Sequence, residues 1–311
     1  MKVKYGLVSA AVAAALMSAS PSFAGSIPSA GGVPTEVVIT ARAPSDRSPH
    51  ETLKAGDVKV LQGNTPVPVV GFERLAGNLA DMQLVVLLDD STRSSSLGIQ
   101  LPQLKSFIQA LPATTQVAVG YMRNGTFFST QSFTTDHEKA ADAVRLPQAI
   151  PGGNGSPYFA LSDLVKHWPS KQATGRRAVL MLTDGVDRYY GSAIIDDPYV
   201  DSAMRDALKK GVLVYSIYLR GAGLYGRGGW VTNVAQSRLL EVSQETGGHA
   251  YFQDFTDPVS ISPFLNNFQD RLNNQYKITI EALNHKGVQP VKLRTEVPGV
   301  KIEGPTHIFV R

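Results

Sequence analysis

The chain has 311 residues, a formal net charge of +4, 43% hydrophobic residues and 18% charged ones. That is apolar enough to build a full core and too weakly basic to argue for nucleic acid. It contains no cysteine, which excludes disulfides, thiol nucleophiles, thiolate metal sites and a lipid-bearing cysteine anchor.

In chain order, residues 1–24, "MKVKYGLVSAAVAAALMSASPSFA", pair two lysines with an apolar stretch and end in Ser22-Phe23-Ala24. This is the pattern of a secretory signal peptide cut after Ala24. Losing Lys2 and Lys4 takes the formal charge from +4 to +2, and the expected location is the periplasm or the cell exterior, with no membrane insertion after cleavage. Residues 25–35 are rich in Gly, Pro and Ser and read as a flexible leader. Residues 36–78 read as a β segment. "EVVITARA" (Glu36–Ala43) and "GDVKVLQG" (Gly56–Gly63) are strand-like, and "TPVPVVGFERL" (Thr65–Leu75) is extended, with prolines that place it at a sheet edge.

Residues 79–275 change character. "LVVLLDD" from Leu84 is a continuous apolar run, the mark of a strand covered on both faces. A helix is predicted over Leu101–Leu111, strands over Gln116–Met122 and Gly125–Phe133, and helices over Asp136–Leu146 and Pro157–Trp168. Strand Ala178–Asp184, helix Tyr199–Gly211 and strand Val212–Leu219 follow. Helix Asn233–Gly248, the short strand "HAYFQ" and a last helix "ISPFLNNFQDRLNNQ" complete the region. Alternating strands and helices predict an α/β, Rossmann-like fold, a mainly parallel sheet with helices on both faces. From Tyr276 the period returns to two, in "YKITIEAL", "VKLRTEV" and "HIFV". Residues 276–311 are therefore expected to pack with residues 36–78 as one small β-rich unit flanking the α/β domain.

In an open parallel sheet, ligands bind beyond the carboxyl ends of the strands. Asp89, Asp90 and Ser91 follow the first apolar strand, Asp184 follows "AVLMLT", and "PGGNGSP" leads into a helix N-terminus, where backbone N–H groups are unpaired. The motifs "VVLLDDSTR", "GGNGSPYFALSDL", "AVLMLTDG" and "GVLVYSIY", in this order, resemble a von Willebrand factor type A (VWA) domain over about Leu84 to Gln275. With its β-rich flanks and "TGGHAYF", the chain is similar to the secreted VWA-related proteins of acidobacteria. The resemblance implies a protein-binding module with a metal-ion-dependent adhesion site (MIDAS). There an Asp-x-Ser-x-Ser motif, a Thr and a distant Asp hold Mg²⁺, and a partner's carboxylate completes the shell. Carried over, Asp89, Ser91 and Asp184 match, and Ser156 or Asn154 stands for the Thr. Mg²⁺ suits such hard oxygen donors.

Arg93 stands where the pattern has its second serine, and a guanidinium cannot ligate a metal. Two carboxylates about 5 Å apart at an effective dielectric of 20 repel by roughly 3 kcal/mol, so the site needs a cation. Either Mg²⁺ supplies it, with Arg93 turned to solvent and Ser94 or Ser95 lending an oxygen, or Arg93 itself fills a degenerate site. Asp90 is expected to cap the turn after the strand. Asp187 is either a solvated loop acid or the holder of a water beside the site. Asp196, Asp197 and Asp201 suit helix capping and dipole roles, with a calcium site as the alternative. Tyr189 and Tyr190 in "DRYYG", and Tyr225, Arg227 and Trp230 in the glycine-rich loop after "YSIYL", are candidates for a protein-binding rim around the acids. No histidine pair has zinc spacing, no Gly-x-Ser-x-Gly elbow is present, and Asp89 lacks an Asp two positions on. The expectation is therefore a non-enzymatic interaction module. The alternative is a structural scaffold with a dead site that binds through its β flanks.

Overall fold

The computed structural model describes residues 31–43, 52–153, 155–172, 174–191, 196–221 and 228–311. The expected signal peptide, Asn154, Tyr225 and Arg227 lie outside the described residues. Among the described residues the first strands are β1 (Val33–Arg42), β2 (Lys59–Gln62), β3 (Thr65–Val67) and β4 (Val69–Arg74). The α/β region comprises β5 (Met82–Asp89), α1 (Ser94–Gln109), β6 (Thr115–Arg123), β7 (Thr126–Thr134), α2 (His137–Asp142), α3 (Pro157–Lys166), β8 (Arg176–Thr183), α4 (Pro198–Lys210), β9 (Val212–Tyr218), α5 (Gly229–Glu245), β10 (Ala250–Tyr251) and α6 (Ser262–Asn273). Strands β11 (Gln275–Ala282), β12 (Gly287–Arg294), β13 (Lys301–Glu303) and β14 (His307–Val310) come last. No helix among the described residues is long and apolar enough to cross a membrane.

The central sheet runs β10-β9-β8-β5-β6-β7. Numbered from its own first strand, this is the doubly wound order 3-2-1-4-5-6 read from the β7 edge. All neighbours are parallel except β6 and β7. Every residue of β5 is buried because alternate side chains serve two cores. Leu84, Val86 and Leu88 pack with Leu104 of α1, Ala140 of α2 and Phe268 of α6. Val85 and Leu87 pack on the other face with Leu161 of α3, Ala203 of α4 and Leu239 of α5. Each such aliphatic side chain contributes about 1.5–3 kcal/mol by leaving water, so the unbroken apolar run is a consequence of two helix layers.

The flanks form two further four-stranded sheets, β13-β1-β11-β4 and β14-β12-β2-β3, sharing a core around Ile39, Val60, Ile278, Ile280 and Val310. The proline-bearing segment supplies one edge of each sheet, β3 with Pro66 and β4 directly after Pro68, where a missing proline N–H costs no ladder bond. The flanks are tied to the central sheet by buried polar contacts. Arg176 Nη1 donates to Leu272 O and to Gln275 Oε1, each at 2.7 Å. Gln275 Nε2 donates to the Tyr215 hydroxyl at 2.9 Å.

Several elements differ from the sequence reading: β1 begins at Val33, inside the expected leader, α2 ends at Asp142 rather than Leu146, and α5 begins at Gly229 rather than Asn233. Helix α1 begins at Ser94 rather than Leu101 and runs through Pro102. Its first turns are held from outside: Ser96 Oγ donates to Asp257 Oδ2 at 2.7 Å, and Gln100 Nε2 to Pro258 O at 2.7 Å. Strand β7 is antiparallel to β6, joined by the two-residue turn Asn124-Gly125 with φ of 49° and 70°. Positive φ at both central residues suits the right-handed twist of a tight hairpin.

Candidate functional site

The strand order reverses between β5 and β8, and the crevice at such a switch point is where doubly wound sheets bind ligands. Asp89 is the last residue of β5 and Asp184 directly follows β8, so parallel pairing of the two strands brings the acids to one place. Both are buried. Asp89 Oδ1 accepts from Ser91 N at 2.9 Å and Ser91 Oγ at 2.7 Å, and its Oδ2 accepts from Thr183 Oγ1 at 2.8 Å. Burial, and after it the charge of Asp184, push the Asp89 carboxyl above its ordinary value despite these donors.

The cation on the acids is Arg188. Its Nη2 donates to Asp184 Oδ2 at 2.6 Å and its Nη1 to Asp184 Oδ1 at 3.3 Å, where Val186 N also donates at 2.9 Å. The Arg188 side chain is only 9% exposed. Burial would lower its pKa, but the charge and hydrogen bonds of Asp184 outweigh this and raise it. Gly185, at φ 67°, turns the chain so that a residue four positions on can fork back onto the acid. Arg93 is fixed through its backbone. It is the N-cap residue of α1 with no side-chain capping bond, and its carbonyl accepts from Leu97 N at 3.1 Å.

The other acids are structural. Asp90 is not a turn cap. It is fully buried and accepts from Arg123 Nη2 at 2.6 Å, Arg145 Nη1 at 2.8 Å and Gln148 N at 2.9 Å. Burial alone would raise its pKa, and these donors hold it below the ordinary carboxylate value. Asp187 is buried rather than solvated. It accepts the Ser156 hydroxyl proton and the backbone N–H groups of Tyr189 and Tyr190, at 2.8 and 2.9 Å. Ser156 in turn caps α3, its Oγ accepting from Phe159 N at 3.1 Å. Asp197 caps α4 through Tyr199 N at 2.9 Å.

Above this network lies a cavity of about 230 Å³ whose lining includes Asp89, Ser91, Arg123, Gly125, Ser156 and Arg188. Asp184, beneath the Arg188 guanidinium, is not part of the lining. Ile150, 81% exposed, stands on one wall. Gly125 is covered by Tyr189 and Phe159, which would meet a Cβ there at 2.6 and 3.0 Å. Phe159, Tyr189 and Tyr190 are all exposed. They form one group with Tyr199 through ring contacts of 6.4 Å for Phe159–Tyr189, 5.4 Å for Phe159–Tyr199 and 6.2 Å for Tyr190–Tyr199. Trp230, 61% exposed, lies in the first turn of α5, the helix that follows β9 on this same edge.

No family model and no curated protein matches the chain in sequence. Solved structures match in shape. An aerotolerance-related membrane protein of Bacteroides fragilis is 13% identical, with a TM-score of 0.43, covering 62% of this chain and 98% of its own. The vWF domain of the type V pili tip protein Mfa5 from Porphyromonas gingivalis is 8% identical, with a TM-score of 0.42, over 62% of this chain and 94% of that one. Proximal thread matrix protein 1 of the mussel byssus, with a zinc-occupied MIDAS motif, is 15% identical, with a TM-score of 0.43, over 63% and 46% of the two chains. At this distance such likenesses concern fold and carry no role across. The architecture is a doubly wound α/β sheet with helices on both faces, as the sequence predicts.

In this crevice the structure brings together Asp89, Ser91, Ser156 and Asp184, each already hydrogen-bonded. Asp89 has a donor on each oxygen, the Ser156 proton is on Asp187, and Asp184 lies under a guanidinium. Mg²⁺ takes a near-octahedral shell of oxygen donors, and on Asp184 the Arg188 guanidinium already covers both oxygens. Among the described residues no group of three or more His, Asp or Glu could hold a metal ion. Sequence reasoning missed Arg188, Ile150, Phe159 and the Asn124-Gly125 turn. The turn had a signal, since Asn-Gly between apolar runs is a strong hairpin mark. So did Arg188, a cation four residues after an acid across a glycine.

Proposed function

We propose that this chain is an exported, non-enzymatic protein-interaction module that engages its partner through the rim of the β5–β8 cavity, its metal site being degenerate. One observation carries the reading: a cavity on the ligand-binding edge, lined in part by Asp89, Arg123 and Arg188, has exposed Ile150 in its wall and exposed Phe159 and Tyr189 over its Gly125, and Tyr190 joins these rings through Tyr199. Single exposed hydrophobics are ordinary, but grouped ones with polar residues beside them mark interaction surfaces. Tyr brings large contact area with few rotatable bonds and is common at binding hot spots. Among the described residues the cavity lining holds no histidine, and its two serine hydroxyls donate to the buried carboxylates of Asp89 and Asp187.

Ile150→Ala, Phe159→Ala and Tyr190→Ala combined are expected to keep the wild-type melting temperature and to lose capture of a protein from the envelope and secreted fractions of the native cell. EDTA is expected to leave wild-type capture unchanged. Equal capture by the triple variant would favour a scaffold that binds through its β flanks, and chelator-sensitive capture would restore a metal-dependent site. Export has its own readout. The intact mass of the exported chain is expected to correspond to a start at Gly25, and a mass retaining Met1 would remove that part of the proposal.

A further inference from the structure

The crevice holds two buried carboxylates, and a metal is the cation the VWA resemblance leads one to expect there. We propose that Arg188 is the resident cation of this site, a guanidinium built into the chain that takes the place of a divalent ion and closes the site to metals. This inference concerns the isolated chain and does not depend on the existence of a protein partner.

Three observations carry it. First, the fork of Arg188 covers both oxygens of Asp184 at 2.6 and 3.3 Å, a planar match of donors to a carboxylate. Any metal on Asp184 must displace it. Second, the Arg188 side chain is mostly buried, 9% exposed, and its Nη1 also donates to Val186 O at 3.3 Å, so it is packed into the loop while still bordering the cavity. Expelling a paired, desolvated charge leaves two buried carboxylates without their counterion. Third, the same loop is fastened on both sides of Arg188. The Arg188 N–H donates to Gly155 O at 2.9 Å, joining the loop after β8 to the loop before α3. Asp187 holds Ser156 and the N–H groups of Tyr189 and Tyr190. One four-residue run, Asp187 to Tyr190, thus neutralises the site and sets the backbone of the two exposed tyrosines. A bound ion would otherwise have to do the first task, and its loss would disturb the second.

The test is Mn²⁺ binding to the purified chain, followed by electron paramagnetic resonance and calorimetry, for wild type, Arg188→Ser and Arg93→Ser. Arg188→Ser is expected to bind one Mn²⁺ about tenfold or more tighter than wild type and to be stabilised by it, while Arg93→Ser behaves as wild type does. Wild type binding Mn²⁺ as tightly as Arg188→Ser would overturn the proposal, as would a folded Arg188→Ser that gains no binding. Should Arg188→Ser fail to fold, side-chain ¹⁵N spectra of the wild type decide. A slowly exchanging guanidinium signal, absent from Arg188→Lys and unbroadened by Mn²⁺, supports the resident cation. Broadening or release of that signal by Mn²⁺ overturns it.

Discussion

Asp90→Ala is expected to lower the unfolding free energy by about 3–5 kcal/mol, the range for breaking one partner out of a buried ion pair. At about 2–4 °C per kcal/mol, thermal melts should drop by roughly 6–20 °C. The reason is the number of groups that one carboxylate satisfies. Asp90 is fully buried and receives Arg123, Arg145 and the N–H of Gln148. Arg145 also lies over the Tyr121 ring, its Cζ 3.8 Å from the centroid, and the Tyr121 hydroxyl donates to Arg145 O at 2.9 Å. Alanine leaves two partly buried guanidinium groups without a counterion and frees the segment that carries Ile150. Asp90→Asn keeps the shape and should recover part of the loss.

The same residue sets a pH dependence. The Asp90 carboxyl is held below its unfolded value, so the native state binds that proton less readily than the unfolded chain. Its stabilisation is complete above the unfolded carboxylate pKa of about 3.9 and fades as pH falls through the lower folded value. The stability gap between wild type and Asp90→Asn should therefore be flat from pH 7 to about 5 and narrow below about pH 4. Asp89, one residue away, has the opposite sign. Its pKa is raised, so its charged form costs stability at neutral pH, and protonation relieves that cost. A gap that widens on acidification would show that the two neighbours had been assigned the wrong way round.

How much of this was legible depended on whether the cause was local. The strands β5, β8 and β9 are readable because burial on both faces leaves no polar position, and Asp136 and Asp197 cap their helices through local hydrogen bonds that a propensity argument can anticipate. The start of α1 was not readable. Ser94, Ser95 and Ser96 look like loop, and Pro102 looks like a helix start, whereas the first turns are kept helical by Asp257 and Pro258, more than 150 positions away. The antiparallel β7 was readable in principle from Asn124-Gly125.

The site divides in the same way. Two acids at the ends of apolar runs announce themselves, because a carboxylate after a buried strand has few uses other than holding a charge or capping a turn. Which cation meets them is a matter of loop path. Arg93 has the suggestive position in the motif, but its residue begins a helix, and its backbone is committed to Leu97. Arg188 has no motif position at all. It reaches Asp184 because Gly185 adopts φ 67° and because a Cβ there would strike Leu239 and Ala235 at 2.8–2.9 Å, so only glycine allows the loop to lie that close to α5. Ile150 and Tyr189 then reach the cavity because the segments that bear them are stitched to Asp90 and Asp187, and Phe159 because Ser156, held by Asp187, caps the first turn of α3.

Gly248→Ala is expected to destabilise the protein by about 3 kcal/mol or more, at the upper end of overpacking costs, lowering the melting temperature by roughly 6–12 °C. The glycine pair after α5 looks in sequence like an ordinary helix stop, and Gly247, at φ 84°, fills that role. Gly248 answers a different demand. A Cβ there would lie 1.9 Å from Val214 O and 2.6 Å from Val214 C, which are backbone atoms of β9. Val214 cannot retreat, since it pairs with Val179 in the middle of the sheet. The start of β10 would have to move instead, pulling on the His249 carbonyl that accepts from Ser216 N at 3.0 Å and on the Gly248 N–H that donates to Ser243 O at 2.8 Å. Gly211 makes the control. It ends α4 at φ 63° with nothing within 4 Å of its missing Cβ, so Gly211→Ala should lose only the left-handed backbone penalty of about 1–2 kcal/mol. Denaturant unfolding of the two variants separates close packing from backbone conformation. A Gly248→Ala cost no larger than that of Gly211→Ala would mean that β10 can separate from β9 without loss, and that the end of α5 is not fixed by the sheet.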